Sequence, residues 1–313
     1  MYVGLDVGGT NLKGARVAED GSVEARLHEP VARERGEDLL EQLRRAVQTL
    51  SGGSRPDAVG VGVPGIVDHR TSRLQGAPNL PALAALKDAD LAAELTHRVA
   101  CPAFLDNDGN AAGLAEAWLG AGRGASSLLH VTLGTGVGGA VILDGRLWRG
   151  QSGYAGEIGH IQVDPQGVPC GCGSVGCMET VVGIRGWVRR AAELRASRAT
   201  RLKDVALEPA TIVAAAREGD AVALQVVDEV ARCLGQGLGG LLNALNFERC
   251  TIGGGVSAAG PFLLERIVRE TRSRCWANVF ENCSFRLAEL GNEAGVVGAA
   301  RVAMVGLADR RWA

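Results

Sequence analysis

The sequence predicts an α/β fold built from two duplicated domains, and three observations carry that prediction. The chain has 313 residues, beyond the size at which a single core usually keeps growing. Short apolar strands alternate with helical stretches along its length. A block reading strand, glycine-rich turn, strand, Asp-Gly, strand occurs twice, about 130 residues apart, as a duplicated unit would.

The first block opens with the apolar strand Tyr2 to Val7, which runs into Gly8-Gly9-Thr10. A second apolar stretch, Ala15 to Ala18, leads to Asp20-Gly21, a strong hairpin signal. The echo runs from Leu128 to Leu133 into Gly134-Thr135-Gly136, then through Gly138-Gly139 and Ala140 to Leu143, and ends at Asp144-Gly145. Between the blocks, Leu39, Leu43, Ala46, Val47 and Leu50 share one face of an amphipathic helix over 37–50. Residues 58–63 read as a strand ended by Pro64-Gly65, and residues 110–119 as a helix that carries the chain between the domains. In the second half, 184–195, 221–245 and 263–269 read as helices, and 250–252 as a buried strand stopping at Gly253-Gly254-Gly255. The small apolar residues of 294–305 predict a helix packed on both sides. No Pro/Ser-rich linker separates the halves, so the expected domain interface is a cleft rather than a tether.

Composition narrows the function. A formal charge of −2 gives no polybasic signature, and aromatic residues make up only 4%, which argues against nucleic acid as a partner. No apolar run reaches the ~20 residues that span a bilayer, so no membrane partner is expected. The N-terminus reads directly as a strand and lacks the pattern of a secretion signal, which points to a cytoplasmic protein. Of eight cysteines, Cys170, Cys172 and Cys177 crowd together, a distribution that favours metal over disulfides in a reducing compartment. The five scattered ones read as small core hydrophobes. The 45 glycines are clustered, marking places where backbone must approach something closely.

Those clusters carry the chemistry. Asp6-Val7-Gly8-Gly9-Thr10-Asn11 places a carboxylate at a strand end, then bare backbone, then a hydroxyl. Glycine amides there point at phosphate oxygens without Cβ obstruction, with Thr10 and Lys13 as further donors and Asp6 placed to orient Mg²⁺. Gly134-Thr135-Gly136 supplies a second cradle. Neither segment has the Gly-Lys-Ser/Thr of a P-loop, so the reading is two-sided binding of ATP. Gly254-Gly255 forms a turn that allows flat approach of an adenosine. In Asp106-Asn107-Asp108-Gly109-Asn110, helix capping explains one polar residue but not all four. Phosphoryl transfer to an alcohol needs a carboxylate to accept the hydroxyl proton; Asp106 and Asp108 both qualify, and spacing alone does not choose between them. His160, Cys170, Cys172 and Cys177 form a closed set of three thiolates and one imidazole, suited to structural zinc. Glu157 and Glu179 flank these ligands, placed to accept hydrogen bonds from sugar hydroxyls.

These motifs, together with Gly60-Val61-Gly62-Val63-Pro64-Gly65, occur in one order that resembles the ROK family of sugar kinases and repressors, within the actin-like ATPase superfamily. The resemblance runs from residue 2 to about 300. It implies two actin-like (ribonuclease H-like) domains, residues 1–115 with 293–313 and residues 116–292, the latter holding the zinc loop. It also implies that Asp108 is the base for a sugar 6-hydroxyl. Gly65, Asn79, Asn107, Glu157, His160 and Glu179 would contact the sugar. Asp6, Gly8, Gly9, Thr10, Asn11, Lys13, Gly134, Thr135, Gly136, Gly138, Gly254 and Gly255 would surround Mg-ATP. Family kinases often carry a tryptophan after the Pro-Asn pair, where this chain has Leu80-Pro81-Ala82-Leu83. A homodimer or tetramer is implied.

The activity implied is transfer of the γ-phosphate of ATP to the 6-hydroxyl of a hexose. Glucose is the preferred acceptor, because the cysteine block followed by Met178-Glu179-Thr180 looks most like bacterial glucokinases. Fructose, mannose, N-acetylglucosamine and N-acetylmannosamine are the alternatives, and polyphosphate the alternative donor. Family repressors carry an additional N-terminal helix-turn-helix domain. Here the first phosphate-binding strand is expected to begin at residue 2, which favours the kinase.

Overall fold

Val3, Leu5 and Val7 are fully buried along β1 (Tyr2–Val7), the strand from which the first sheet grows. β1 pairs antiparallel with β2 (Asn11–Val17), which pairs antiparallel with β3 (Val23–Pro30). On its other edge β1 runs parallel to β4 (Ala58–Val63), whose six residues are all buried, as a strand covered on both faces requires. Helix α1 (Gly36–Ser51) connects the two halves of this sheet. It buries the predicted stripe of Leu39, Leu43, Ala46, Val47 and Leu50, worth roughly 1.5–3 kcal/mol for each large side chain. The hairpin β5 (Ile66–Asp68) and β6 (Arg73–Gly76) comes next, then α2 (Pro81–Ala84) and α3 (Leu91–Val99). β7 (Ala103–Asn107) completes the sheet parallel to β4 and runs directly into α4 (Asp108–Trp118). The computed structural model describes residues 1–68, 71, 73–77, 80–87 and 89–309.

The second sheet repeats the plan. Its strands are β8 (Leu128–Leu133), β9 (Val137–Leu143), β10 (Arg146–Leu147), β11 (Arg249–Gly253) and β12 (Ser284–Leu287). The first sheet has the order β3-β2-β1-β4-β7 and the second the order β10-β9-β8-β11-β12, so each strand has its counterpart in the same place. The Asp144-Gly145 turn joins β9 to β10 with both residues at positive φ, 52° and 70°, the geometry of a tight type I′ hairpin. The Asp20-Gly21 hairpin forms as well, joining β2 to antiparallel β3. The link from Ala18 to Ser22 is longer, and Asp20 Oδ1 accepts from the Ser22 N–H and hydroxyl at 2.9 and 2.7 Å. The remaining helices are α5 (Glu179–Val182), α6 (Ile184–Arg195), α7 (Pro209–Arg217), α8 (Ala221–Leu245), α9 (Pro261–Arg272), α10 (Ala277–Glu281) and α11 (Ala294–Ala308).

Two compact units result, one of residues 1–124, 140–156 and 292–313, the other of residues 125–139 and 157–291. In the first, α11 lies on β1, β4 and α4 with almost no side chain between backbones. A Cβ on Gly60 would stand 1.7 Å from the Ala299 carbonyl oxygen, one on Gly4 2.0 Å from that of Val296, and one on Gly298 1.9 Å from that of Ala111. Among the described residues, no helix is long and apolar enough to cross a membrane.

Candidate active site

In the first unit the parallel strands bring their C-terminal ends into one row, the position where open α/β sheets place their ligands. Asp6 on β1 registers with Gly62 on β4, and Gly62 with Asp106 on β7. Asp6 sits against the N-terminus of α11, with its Oδ2 2.4 Å from where a Cβ on Gly295 would be. Burial raises the Asp6 carboxyl above its ordinary range, and its cross-strand partner Lys13 opposes the rise. The tip that follows is closed by the Gly8 N–H donating to the Asn11 carbonyl at 2.9 Å, with Gly9, Thr10 and Asn11 exposed.

The two acids of Asp106-Asn107-Asp108 have different surroundings. Asp106 is fully buried. Its Oδ1 accepts from Asn110 Nδ2 at 2.8 Å and from the Asn107 N–H at 2.9 Å, while its Oδ2 accepts from Arg149 Nε at 2.9 Å with Arg149 Nη2 at 2.7 Å. A carboxylate has about four acceptor sites, so this one is committed to structure. Asn107 is the N-cap of α4: its Oδ1 accepts from the N–H groups of Gly109 and Asn110 at 2.8 and 3.2 Å, and its Nδ2 donates to the Gly65 carbonyl at 3.2 Å. Asp108 is the first residue of the helix and is exposed, its Oδ1 accepting from the Gly109 N–H at 2.8 Å. Gly65, Asn107 and Asp108 are thus neighbours. Asn79 lies outside the described residues.

In the second unit, the ends of β8 and β11 set two glycine turns side by side. The Gly134 N–H donates to the Gly136 carbonyl at 3.0 Å, leaving Thr135 exposed at the tip. Gly254, at φ 83°, comes so near β8 that a Cβ would stand 2.3 Å from the Leu133 carbonyl oxygen, so only glycine fits. Gly138 follows on β9, and Gly255 is exposed beside Gly254. Glu179, at the start of α5, lays its carboxylate over the first of these turns: Oε2 accepts the Val137 N–H at 3.1 Å. Glu157 is half-buried, and burial raises its carboxyl above the ordinary range; His160 opposes this and Glu179 adds to it.

His160, Cys170, Cys172 and Cys177 converge in the same unit. Their ligand atoms all lie within 4.8 Å of one another. Cys170 Sγ is 3.6 Å from His160 Nδ1, and Cys172 Sγ is 3.6 Å from Cys177 Sγ. A tetrahedron of ~2.3 Å zinc–sulfur bonds has edges of about 3.8 Å, close to these two separations, so the donor set fits such an ion. The other ring nitrogen of His160, Nε2, faces Glu157 Oε2 at 3.8 Å.

The sequence alone does not mark Arg149 as a site residue. It belongs to the loop after β10, 43 positions beyond Asp106, and no local pattern marks an arginine as the partner of a distant carboxylate. The only signal was the buried position of Asp106 at the end of an apolar strand, which calls for a cation from somewhere.

Two copies of the β3-β2-β1-β4-β7 plan, each with glycine turns at its strand ends, define a protein of the actin-like α/β class. The chain belongs to the ROK family, whose description matches residues 2–305. It is 39% identical over 310 residues to the glucokinase of Halalkalibacterium halodurans, covering 95% of this chain and 93% of that one. Among solved structures it is similar to a ROK hexokinase from Thermus thermophilus, with a TM-score of 0.85, 33% identity and coverage of 98% and 99% of the two chains. A ROK glucokinase from Streptomyces griseus in complex with glucose and AMPPNP matches with a TM-score of 0.82 and 34% identity over 97% of this chain and 99% of that one.

Proposed function

We propose that this protein is a glucokinase that transfers the γ-phosphate of Mg-ATP to the 6-hydroxyl of glucose, with Asp108 as the base. The likeness to glucokinases over nearly the whole chain supports the reaction. One observation carries the choice of base: Asp106 is consumed by Arg149, Asn110 and the Asn107 N–H, whereas Asp108 stands exposed at the head of α4. Asp108 accepts the proton of the 6-hydroxyl as that oxygen bonds to the γ-phosphorus and the bond to the β-phosphate oxygen breaks, releasing ADP. Gly65, Asn79, Asn107, Glu157, His160 and Glu179 hold the sugar. The turns at Gly8–Asn11, Gly134–Gly138 and Gly254–Gly255 surround the nucleotide with backbone N–H groups. Asp6 and Lys13 stand beside its phosphates, Asp6 orienting the magnesium.

His160, Cys170, Cys172 and Cys177 would hold zinc, and the ion would fix the loop that presents Glu157 and Glu179. Four protein ligands leave no open position, so the ion's contribution is structural. Cysteines unpaired in disulfides and given to a metal fit a reducing cytoplasm, and likeness to the family supports a homodimer, which sedimentation equilibrium reads directly. A panel of glucose, fructose, mannose and the two N-acetylhexosamines, assayed for ADP release with ATP and for sugar phosphate with polyphosphate, tests the reaction. Glucose with ATP is expected to give the highest kcat/KM, and preference for another sugar or donor overturns that assignment.

A further inference from the structure

Glu179 touches the proposed nucleotide turn and belongs to the proposed sugar set at once. Its Oε2 accepts the Val137 N–H at 3.1 Å, and a Cβ on Gly136 would stand 2.2 Å from the same oxygen. The backbone just beyond it grips the turn as well. The Ile184 N–H donates to the Gly134 carbonyl at 3.0 Å, and a Cβ on Gly183 would stand 2.7 Å from the Thr135 carbonyl oxygen. Glu179 also follows Cys177 by two residues, and the N–H of the intervening Met178 donates to the Ile161 carbonyl at 2.8 Å, tying it to the segment that carries Glu157 and His160. One short stretch therefore joins the two halves of the site in this unit.

We infer that Glu179 couples the two ligands: a hexose hydroxyl bonded to its carboxylate fixes the Gly134–Gly138 turn for the phosphates of the nucleotide, and bound nucleotide fixes Glu179 for the hexose. The inference rests on the hexose-kinase reading above. A carboxylate has room for the Val137 N–H and a hydroxyl donor together. Once the hydroxyl has taken it, the side chain loses rotamer freedom, and the turn hydrogen-bonded to it loses freedom with it. The second ligand then binds to backbone already ordered, which is positive coupling, and linkage makes the effect equal in both directions. Gly136 must remain glycine on this account for a reason unrelated to phosphate, because any side chain there displaces the carboxylate. Glu179 acts toward the nucleotide as a positioning residue.

Titration calorimetry on the full chain tests this with glucose, with Mg-AMPPNP, and with each in the presence of the other. Wild type is expected to bind AMPPNP about 5-fold or more tighter when glucose is present, and Glu179→Ala to reduce that factor below about 2-fold. Gly136→Ala is the decisive variant, since it alters the nucleotide turn and no residue of the proposed sugar set. It is expected to weaken glucose binding about 10-fold with no nucleotide present, and to lose the coupling factor, while circular dichroism confirms the fold. Wild-type glucose affinity and coupling in Gly136→Ala would overturn the inference. A wild-type coupling factor of one, with both ligands bound, would overturn it too and leave the kinase reading standing. Failure of wild type to bind glucose would instead remove the reading on which it rests.

Discussion

Arg149 closes an ion pair on Asp106 with Nη2 at 2.7 Å and Nε at 2.9 Å from the same carboxylate oxygen, and Asp106 is fully buried. The pair anchors the turn from which Asn107 caps α4 and Asp108 leaves the sheet. Arg149→Met leaves a buried carboxylate without its cation, a loss of about 3–5 kcal/mol for a broken buried pair. Urea denaturation of the variant is expected to show that loss, and adding Asp106→Leu to restore part of it. A single variant as stable as wild type would mean the pair contributes nothing to this turn.

Zinc should be stoichiometric with the chain. Cys172→Ser removes one of the four proposed ligands at an exposed position, so packing is barely touched and the change reports on the metal alone. Elemental analysis is expected to show reduced zinc, with the thermal midpoint falling in parallel. Unchanged metal content would remove the ion from this cluster.

His130 makes stability depend on pH. It is fully buried on β8, with Thr251 Oγ1 2.9 Å from Nδ1 and Thr132 Oγ1 3.1 Å from Nε2, and burial lowers its pKa to about 4. Above the ordinary value of about 6.5 both folded and unfolded chains are neutral there. As pH falls from 6.5 toward 4 the unfolded chain takes up a proton that the folded one refuses, so stability declines, by about 3 kcal/mol in total. Denaturation curves at pH 7, 5.5 and 4.5 should show a steeper decline for wild type than for His130→Gln. Parallel declines would mean the imidazole is not held neutral.

Gly60 on β4 leaves no room for a side chain beneath α11. In Gly60→Ala the new Cβ would stand 1.7 Å from the Ala299 carbonyl oxygen, a backbone atom that moves only with its helix. The expected penalty is about 3 kcal/mol, the upper end for an overpacked core. Gly9→Ala is the control, since its Cβ meets nothing within 4 Å. Equal melting temperatures for the two variants would show that α11 does not dock as described.

What the sequence made legible is what short-range physics decides. The apolar spacing over 221–245 predicts a helix that forms over Ala221–Leu245, and 184–195 predicts Ile184–Arg195. The repeated glycine and Asp-Gly signals predict two like sheets, and the strand orders match. The cysteine spacing predicts a cluster whose four ligand atoms do converge. Contacts between distant segments were not legible. Nothing near Gly4 or Gly60 reveals that a helix beginning at Ala294 will lie on them, and nothing near Asp106 reveals Arg149. The sequence places the start of helix α4 at 110, whereas it begins at Asp108. The capping residue is Asn107, and a run of four polar residues does not announce which one caps.

Turnover by Asp108→Asn tests the central claim most directly. The asparagine keeps the size of the side chain and its bond from the Gly109 N–H but cannot take a proton from the sugar. Glucose affinity by calorimetry and the thermal midpoint should match wild type, while kcat for glucose phosphorylation falls by about 10²–10⁴-fold. A variant that folds, binds glucose and turns over within a few-fold of wild type would contradict the account.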